Sequence, residues 1–129
     1  MPLITIDLVA GRTREQLAEL LDTLHDAVVQ ALDVPSRDRY QVVHEHQPSH
    51  LILHDTGLGI KRTPDVVLVH LTSRPRTQQQ KENFYRLLCE ELQRRCGIAP
   101  SDVIVSFTEN TDEDWSFGLG RAQFLTGEL

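Results

Sequence analysis

Two arginines separated by one proline are the residues of this chain best suited to chemistry. Arg74 and Arg76 closely follow the apolar, β-branched run 66–71, and Thr77 with Gln80 forms a capping box that begins a helix. The pair therefore lies where a strand passes into a helix N-terminus, which carries partial positive charge. Two guanidiniums there are suited to bind a carboxylate or a phosphate, preferably through paired hydrogen bonds. A solvated basic turn is the alternative interpretation.

The composition describes one globular domain, residues 1–129. The chain has 40% hydrophobic and 25% charged residues and a net charge of −6, so it lacks the basic stripe of a nucleic-acid surface. No apolar run reaches membrane-spanning length, and the first residues lack the pattern of a signal peptide, so we expect a cytoplasmic protein with no membrane partner. Cys89 and Cys96 are seven residues apart on a predicted helix, about 10 Å along its axis, and are expected to be reduced.

The elements that position the arginines occur twice. Capping boxes at Thr13/Gln16 and Thr77/Gln80 each precede a segment with helical spacing of apolar residues. Segments with the composition of strands flank each of these helices, and they are Leu3–Val9, Arg39–Glu45, Val66–Leu71 and Val103–Phe107. A short strand-like piece at Leu51–Leu53 follows the second of them. The chain is therefore predicted to be two β-α-β halves, about 1–64 and 65–129.

Neither half has enough apolar surface to fold alone, so we expect them to join into one sheet. The predicted fold class is α/β (α+β): a tandem β-α-β repeat forming a four-stranded mixed sheet with two helices on one face. A pseudo-two-fold joining makes the first strand antiparallel to the third. This arrangement places Pro2, at the start of the first strand, beside Arg74 and Arg76 at the end of the third.

Pro2 is the kind of residue after which the initiator Met1 is removed, and removal would leave a free secondary amine. Such an amine acts as an acid, a base or a nucleophile, depending on its pKa. Beside two arginines it would meet an anionic substrate. The alternative is that proline is merely a common second residue.

Four segments carry a resemblance to a known family, and they are Val34–Gln41, Asp55–Ile60, Thr72–Thr77 and the tail Asp112–Leu129. With the proline at position 2 and the tandem halves, they resemble the tautomerase superfamily over essentially the full chain, and within it the malonate semialdehyde decarboxylase family. The resemblance implies a homotrimer and a cofactor-free decarboxylase of a small 3-oxo acid. It also implies the catalytic residues Pro2, Asp38, Arg74 and Arg76.

The chemistry of such a reaction fits these side chains. Loss of carbon dioxide from a 3-oxo acid leaves an enolate, so the catalyst has to stabilise charge on the carbonyl oxygen. A protonated Pro2 would donate a hydrogen bond there, or the amine would form an iminium with the aldehyde. Arg74 and Arg76 would hold the carboxylate. Asp38 is the candidate carboxylate that raises the pKa of the amine or orients a water, with a turn aspartate as the alternative.

The tail supplies further candidate substrate-binding residues, Trp115, Phe117, Phe124 and Leu129. They would form an apolar wall that excludes water, although aromatic residues near a chain end also serve as packing or interface residues. The histidines His44, His46, His50 and His54 match no common zinc-ligand spacing, so no metal is expected. Two other functions remain open: a tautomerase or hydratase of 2-oxo or acetylenic acids, and a non-catalytic trimeric binding module.

Overall fold

A four-stranded sheet lies at the centre of the computed structural model, which describes residues 2–129. Residues 2–129 form seven helices and strands in this order: β1 (Leu3–Val9), α1 (Arg14–Leu32), β2 (Tyr40–His46), β3 (Val67–Ser73), α2 (Gln78–Cys96), β4 (Val103–Glu109) and α3 (Gln123–Thr126). Single 3₁₀ turns occur at Pro48–His50, Pro100–Asp102 and Asp112–Asp114. The two halves are equal in length within residues 2–129, because each has two strands of 7 residues and one helix of 19.

The strand order is β2-β1-β3-β4. Pairs β1/β2 and β3/β4 are parallel, and the central pair β1/β3 is antiparallel. The predicted fold class, a mixed sheet built from two β-α-β halves, is therefore confirmed. Parallel pairing inside each half requires a crossover, which the long helices provide.

Both predicted capping boxes form. The Thr13 and Thr77 hydroxyls accept from the backbone N–H of Gln16 and Gln80, and each glutamine side chain accepts in return from the threonine backbone. The helix α2 ends at Gly97, whose φ of 67° is in the left-handed region that glycine adopts without strain. These caps fix the residue at which each helix begins after its strand.

The core lies between one face of the sheet and the two long helices. Alternate residues of β1 and β3 point into it, including Ile6, Val69 and Leu71, each at most 1% exposed, against Phe84 and Leu88 of α2. Burial of an aliphatic or aromatic side chain contributes about 1.5–3 kcal/mol, so this layer holds the two halves together. The opposite face of the sheet, called the open face below, is partly exposed along β1 and β2, at residues such as Leu3 and Val42.

The segment between β2 and β3 corrects one prediction. The short strand-like piece expected at Leu51–Leu53 does not form a strand, and Ile52 is 71% exposed. The loop is instead held by side chains, since Thr63 donates its backbone N–H and its hydroxyl to buried Asp102. Within residues 2–129, no helix combines the length and hydropathy needed to cross a membrane.

Candidate active site

One edge of the sheet collects the predicted site residues. In the β1/β3 register Leu3 lies opposite Thr72, so buried Pro2 adjoins the end of β3 and the turn that contains Arg74 and Arg76. In the β1/β2 register Leu3 lies opposite Tyr40, which brings the segment before β2 to the same edge. The end of β4 is there too, because β4 runs parallel to β3.

Arg76 is held in place by both halves of the chain. Its Nε donates to Ser73 Oγ at 3.2 Å, and its Nη1 donates to the carbonyl of Leu32, at the end of α1, at 2.9 Å. Partial burial lowers the pKa of the guanidinium, Arg74 adds to this effect, and Asp33 opposes it. A partly dehydrated cation next to a second cation attracts an anion strongly, because little water has to be displaced.

Glu109, the last residue of β4, fixes the turn between the two arginines and α2. Its Oε2 accepts the backbone N–H of Arg76 at 2.8 Å and lies 3.4 Å from Lys81 Nζ. The backbone hydrogen bond, with Lys81 as a further cause, lowers the pKa of this carboxyl. Glu109 therefore joins β4 to the arginine turn as an ionised group.

Replacement Glu109→Gln is expected to lower the free energy of unfolding at neutral pH. The folded-state pKa is depressed, so the stabilisation is present above the unfolded value of about 4.5 and is lost as the pH falls through the folded value. Urea unfolding of both proteins between pH 7 and pH 3 measures this. The difference between them should be constant above about pH 5 and shrink below it. A difference that grows on acidification would contradict this assignment.

Arg74 projects toward the tail of the chain. Its Nη1 donates to Asp112 Oδ1 at 3.0 Å, and its guanidinium carbon lies 3.9 Å from the centre of the Phe124 ring. Its Nε is buried and has no hydrogen-bond partner among residues 2–129. Arg74 is thus held through Nη1 and the face of its guanidinium, while its Nε lacks a hydrogen-bond acceptor within that range.

The tail aromatics form a cluster at this edge. Phe117 stacks on Trp115 with ring centres 5.5 Å apart, packs edge-on against Phe124 at 5.3 Å and stacks on Tyr40 at 5.9 Å. Trp115 Nε1 donates to Asn110 Oδ1 at 2.7 Å. A groove of about 410 Å³ lies beside the cluster and is lined by Leu3, Tyr40, Trp115, Ser116, Phe117 and Gly118.

The polar side chain of Gln123 holds the cluster in shape. Its Oε1 accepts the backbone N–H of Phe117 at 2.9 Å, and its Nε2 donates to the carbonyl of Gly118 at 2.8 Å. Leu129, the fourth residue predicted for the apolar wall, is 60% exposed on the described chain. Its place in the wall stays a prediction.

Asp38 lies half-buried in the turn before β2. Its backbone N–H donates to Pro35 O at 3.0 Å, which closes the turn. The turn is fastened to α1 on both sides, because His25 Nε2 donates to Ser36 O at 2.6 Å and Arg39 pairs with Asp22 at 2.8 Å. The Asp38 main chain is therefore fixed at the edge that also holds Pro2.

The four histidines named in the sequence analysis do not gather at one site within residues 2–129. His44 and His46 both approach Asp7, at 3.4 Å and 2.6 Å, on the open face of the sheet. Among residues 2–129, no group of three or more His, Cys, Asp or Glu side chains is placed to hold a metal ion. The two cysteines, Cys89 and Cys96, are free thiols.

Sequence reasoning missed four residues of this edge: Tyr40, Glu109, Asn110 and Asp112. A signal for two of them was present. The repeat predicts that β4 runs parallel to β3, which puts the end of β4, and hence Glu109 and Asn110, next to the arginine turn. No comparable pattern marks Asp112.

A larger cavity, of about 640 Å³, lies at the opposite edge of the sheet, where β1 ends and α1 begins. Its lining includes Gly11, Arg12, Asp65 and Cys96. None of the predicted site residues contributes to it, so we place the candidate site at the edge where the groups suited to chemistry meet.

Comparisons with known proteins agree with the fold. Two sequence models described as tautomerase enzymes match residues 38–118 and 2–61. A relative named probable tautomerase YrdN, from Bacillus subtilis (strain 168), is 55% identical over 129 residues, covering 100% of both chains. The chain belongs to the tautomerase family. Probable tautomerase YusQ of the same organism is 33% identical over 126 residues, which cover 97% of this chain and 99% of that protein.

Solved structures show the same likeness. A crystal structure of a malonate semialdehyde decarboxylase, described as a basis for decarboxylase and hydratase activities, has a TM-score of 0.97 and 54% identity over 98% of each chain. A second malonate semialdehyde decarboxylase, inhibited by 3-bromopropiolate, has a TM-score of 0.94 and 45% identity over 98% of this chain and 97% of that one. A fused 4-OT shares the fold at 20% identity, with a TM-score of 0.79 over 96% of this chain and 98% of that one.

Proposed function

We propose that this member of the tautomerase family decarboxylates malonate semialdehyde (3-oxopropanoate) to acetaldehyde and carbon dioxide without a cofactor. The observation that carries the proposal is the meeting of three features at one edge of the sheet: the head of β1, the arginine turn after β3 and the aromatic tail. The similarity to two malonate semialdehyde decarboxylases, at 54% and 45% identity, supports it.

In this proposal Arg74 and Arg76 bind the substrate carboxylate. They hold the bond from the carboxylate to the adjacent carbon out of the carbonyl plane, so its electron pair overlaps with the carbonyl as carbon dioxide leaves. The lowered pKa of Arg76 reflects partial burial and the nearby Arg74. A carboxylate would relieve that repulsion, which supports these two residues as its binding site.

Pro2 supplies the electron sink, once Met1 is removed. Met1 lies outside the described residues, so its removal is part of the proposal. A protonated Pro2 amine donates a hydrogen bond to the aldehyde oxygen and stabilises the enolate formed as carbon dioxide departs. Alternatively, the amine adds to the aldehyde and loses water to give an iminium, which accepts the electron pair as an enamine. In the first route, the carbon that carried the carboxylate takes a proton from solvent, and the enolate becomes acetaldehyde. In the second route, the enamine takes a proton from solvent at the same carbon, and water hydrolyses the resulting iminium to acetaldehyde and the free Pro2 amine.

In this proposal, Asp38 and the tail assist the reaction without binding the substrate carboxylate. A carboxylate near the amine raises the pKa of Pro2 and counteracts the two arginines, so that the amine is protonated at neutral pH. Trp115, Phe117, Phe124 and Leu129 form the apolar wall that excludes water and favours release of an uncharged product. The cluster formed by the first three supports this part of the proposal.

The test is release of carbon dioxide from malonate semialdehyde by purified protein treated with a chelator. We expect turnover with acetaldehyde formed in equal amount. The control is Tyr85→Ala, which alters a partly exposed aromatic residue of α2 outside the candidate site. Absence of carbon dioxide release by correctly folded protein, across pH 5 to 9, would overturn the proposal.

Tautomerisation or hydration is the second candidate, favoured by the 55% identity to a probable tautomerase and by the hydratase activity named for one solved relative. Parallel assays of phenylpyruvate enol and of an acetylenic acid separate it from decarboxylation. A non-catalytic binding module would bind a carboxylate without turning over any of these compounds.

We also propose that the protein assembles as a homotrimer in the cytoplasm. Partly exposed apolar residues on the open sheet face, Leu3, Tyr40 and Val42, support a covered surface. Fused 4-OT structures of the same fold are described as trimers. Light scattering coupled to gel filtration measures the mass directly.

A further inference from the structure

Asp112 contacts Arg74 from a turn that the proposed mechanism does not use. The turn follows β4 and is fixed by its own hydrogen bonds, since Thr111 N donates to Asp114 Oδ2 at 2.8 Å and Asp114 N donates to Thr111 O at 3.0 Å. From this turn Asp112 Oδ1 reaches Arg74 Nη1 at 3.0 Å. The carboxylate is therefore presented to Arg74 by a defined piece of backbone.

The nitrogens of the Arg74 guanidinium differ in whether they have a hydrogen-bond partner. Nη1 is paired with Asp112, and the planar face lies on Phe124 at 3.9 Å. The Nε, on the far side of the group from Nη1, is buried and unpaired among residues 2–129. A buried donor without an acceptor is unfavourable, and a ligand carboxylate would satisfy it. Nη1 is thus paired within the protein, whereas the hydrogen on Nε still lacks an acceptor among residues 2–129.

We propose that Asp112 is a positioning residue for substrate binding. It holds Arg74 by Nη1 against Phe124, so that the edge containing Nε is directed to the substrate carboxylate. The inference rests on the proposed function in one respect, namely that Arg74 binds that carboxylate. Asp112 itself does not touch the substrate.

The energetic reason is pre-orientation. A free arginine side chain samples many rotamers, and binding a carboxylate would have to remove that freedom. An arginine already held by Asp112 and Phe124 loses less on binding, so its affinity for the ligand is higher. The Arg74 and Asp112 side chains are 37% and 51% exposed, and an ion pair this exposed contributes little to folding. Loss of Asp112 should therefore affect binding and leave the fold stable.

The experiment compares Asp112→Ala, Asp112→Asn and the matched control Glu113→Ala. Glu113 is an exposed carboxylate of the same turn, so its removal changes the charge equally. The quantities to be measured are KM and kcat for malonate semialdehyde, and the Kd of 3-hydroxypropanoate by calorimetry. The second compound has the same carboxylate but no aldehyde. Asp112→Ala is expected to raise KM and Kd about three- to tenfold, the size expected for a partly exposed ion pair and lost pre-orientation, with kcat changed less than about twofold. Asp112→Asn should recover part of the loss, since its amide oxygen still accepts from Nη1.

A double-mutant cycle identifies the residue through which Asp112 acts. In an Arg74→Ala background, Asp112→Ala should cause no further change in Kd. Tighter binding by Asp112→Ala, an equal loss in Glu113→Ala, or an undiminished Asp112→Ala effect without Arg74 would each overturn the proposal. The Kd needs no turnover, so normal binding of 3-hydroxypropanoate without carbon dioxide release would refute the proposed function and leave this test intact.

Discussion

Protein that retains Met1 on every chain is expected to lose decarboxylase activity by about 10²- to 10⁴-fold, the range that a positioned acid or base contributes. With Met1 present, the Pro2 nitrogen is a tertiary amide, which has neither a proton to donate nor a basic lone pair. Buried Pro2 precedes β1 directly, so its amine is held at the candidate site as soon as Met1 is removed. The effect is large because the same atom serves both of the proposed routes.

The matched comparison uses one preparation. Protein made while methionine aminopeptidase is inhibited is assayed before and after treatment with that purified peptidase, and intact mass reports the fraction processed. Activity should rise in proportion to the fraction of chains that begin at Pro2. Full activity from uniformly unprocessed protein would refute a role for the proline amine. Borohydride reduction in the presence of substrate, followed by mass analysis of the N-terminal peptide, tests the iminium route.

Replacement Arg76→Ala is expected to lower kcat/KM by at least about tenfold and up to about 150-fold, because hydrogen bonds to a charged group contribute about 1.5–3 kcal/mol. Arg76 is the more rigidly held of the two arginines, through Ser73 Oγ and the carbonyl of Leu32. The substitution removes a cation that is fixed in position, and it leaves Ser73 Oγ and the Leu32 carbonyl without this donor. Arg76→Lys should also be poor, since an ammonium group cannot form the same pair of bonds.

The control for Arg76 is Arg86→Ala, which removes an exposed arginine of α2 that pairs with Glu90 at 3.0 Å. It should keep normal kinetics, since an exposed pair of this kind contributes about 0.3–0.5 kcal/mol to stability. Thermal unfolding of all variants separates loss of fold from loss of binding. Near-normal kcat/KM in stably folded Arg76→Ala would eliminate the idea that this guanidinium binds the substrate.

Much of the fold follows from local signals in the sequence. The capping boxes at Thr13 and Thr77 mark where the helices begin, and the alternation of apolar residues identifies the buried face of β1 and β3. The repeat then determines how the strands are arranged in the sheet. When two equal β-α-β halves are joined about a two-fold axis, the first strands of the two halves, β1 and β3, pair antiparallel. This is why the arrangement of Pro2 beside Arg74 and Arg76 could be predicted from the sequence.

The contacts of the tail could not be predicted in this way. Residues 110–129 have no helical or strand period, so nothing in the sequence indicates that Asp112 meets Arg74 or that Phe117 stacks on Tyr40. These contacts depend on where the chain turns after β4. The missing strand at Leu51–Leu53 has a related cause, since three apolar residues in a row are compatible with a strand or with a loop fastened by other side chains.

The two-fold relation between the halves has a consequence for how many reaction centres one chain can contain. The start of β3 is the counterpart of the start of β1, but there Val66 is inside the chain and its backbone N–H donates to Thr63 O at 3.1 Å. An amide committed in this way can never serve as an amine, whatever side chains surround it. In a chain built from two such halves, the amine proposed for catalysis can therefore arise at only one of the two strand starts. The cavity beside Gly11 and Arg12 lies at the other one.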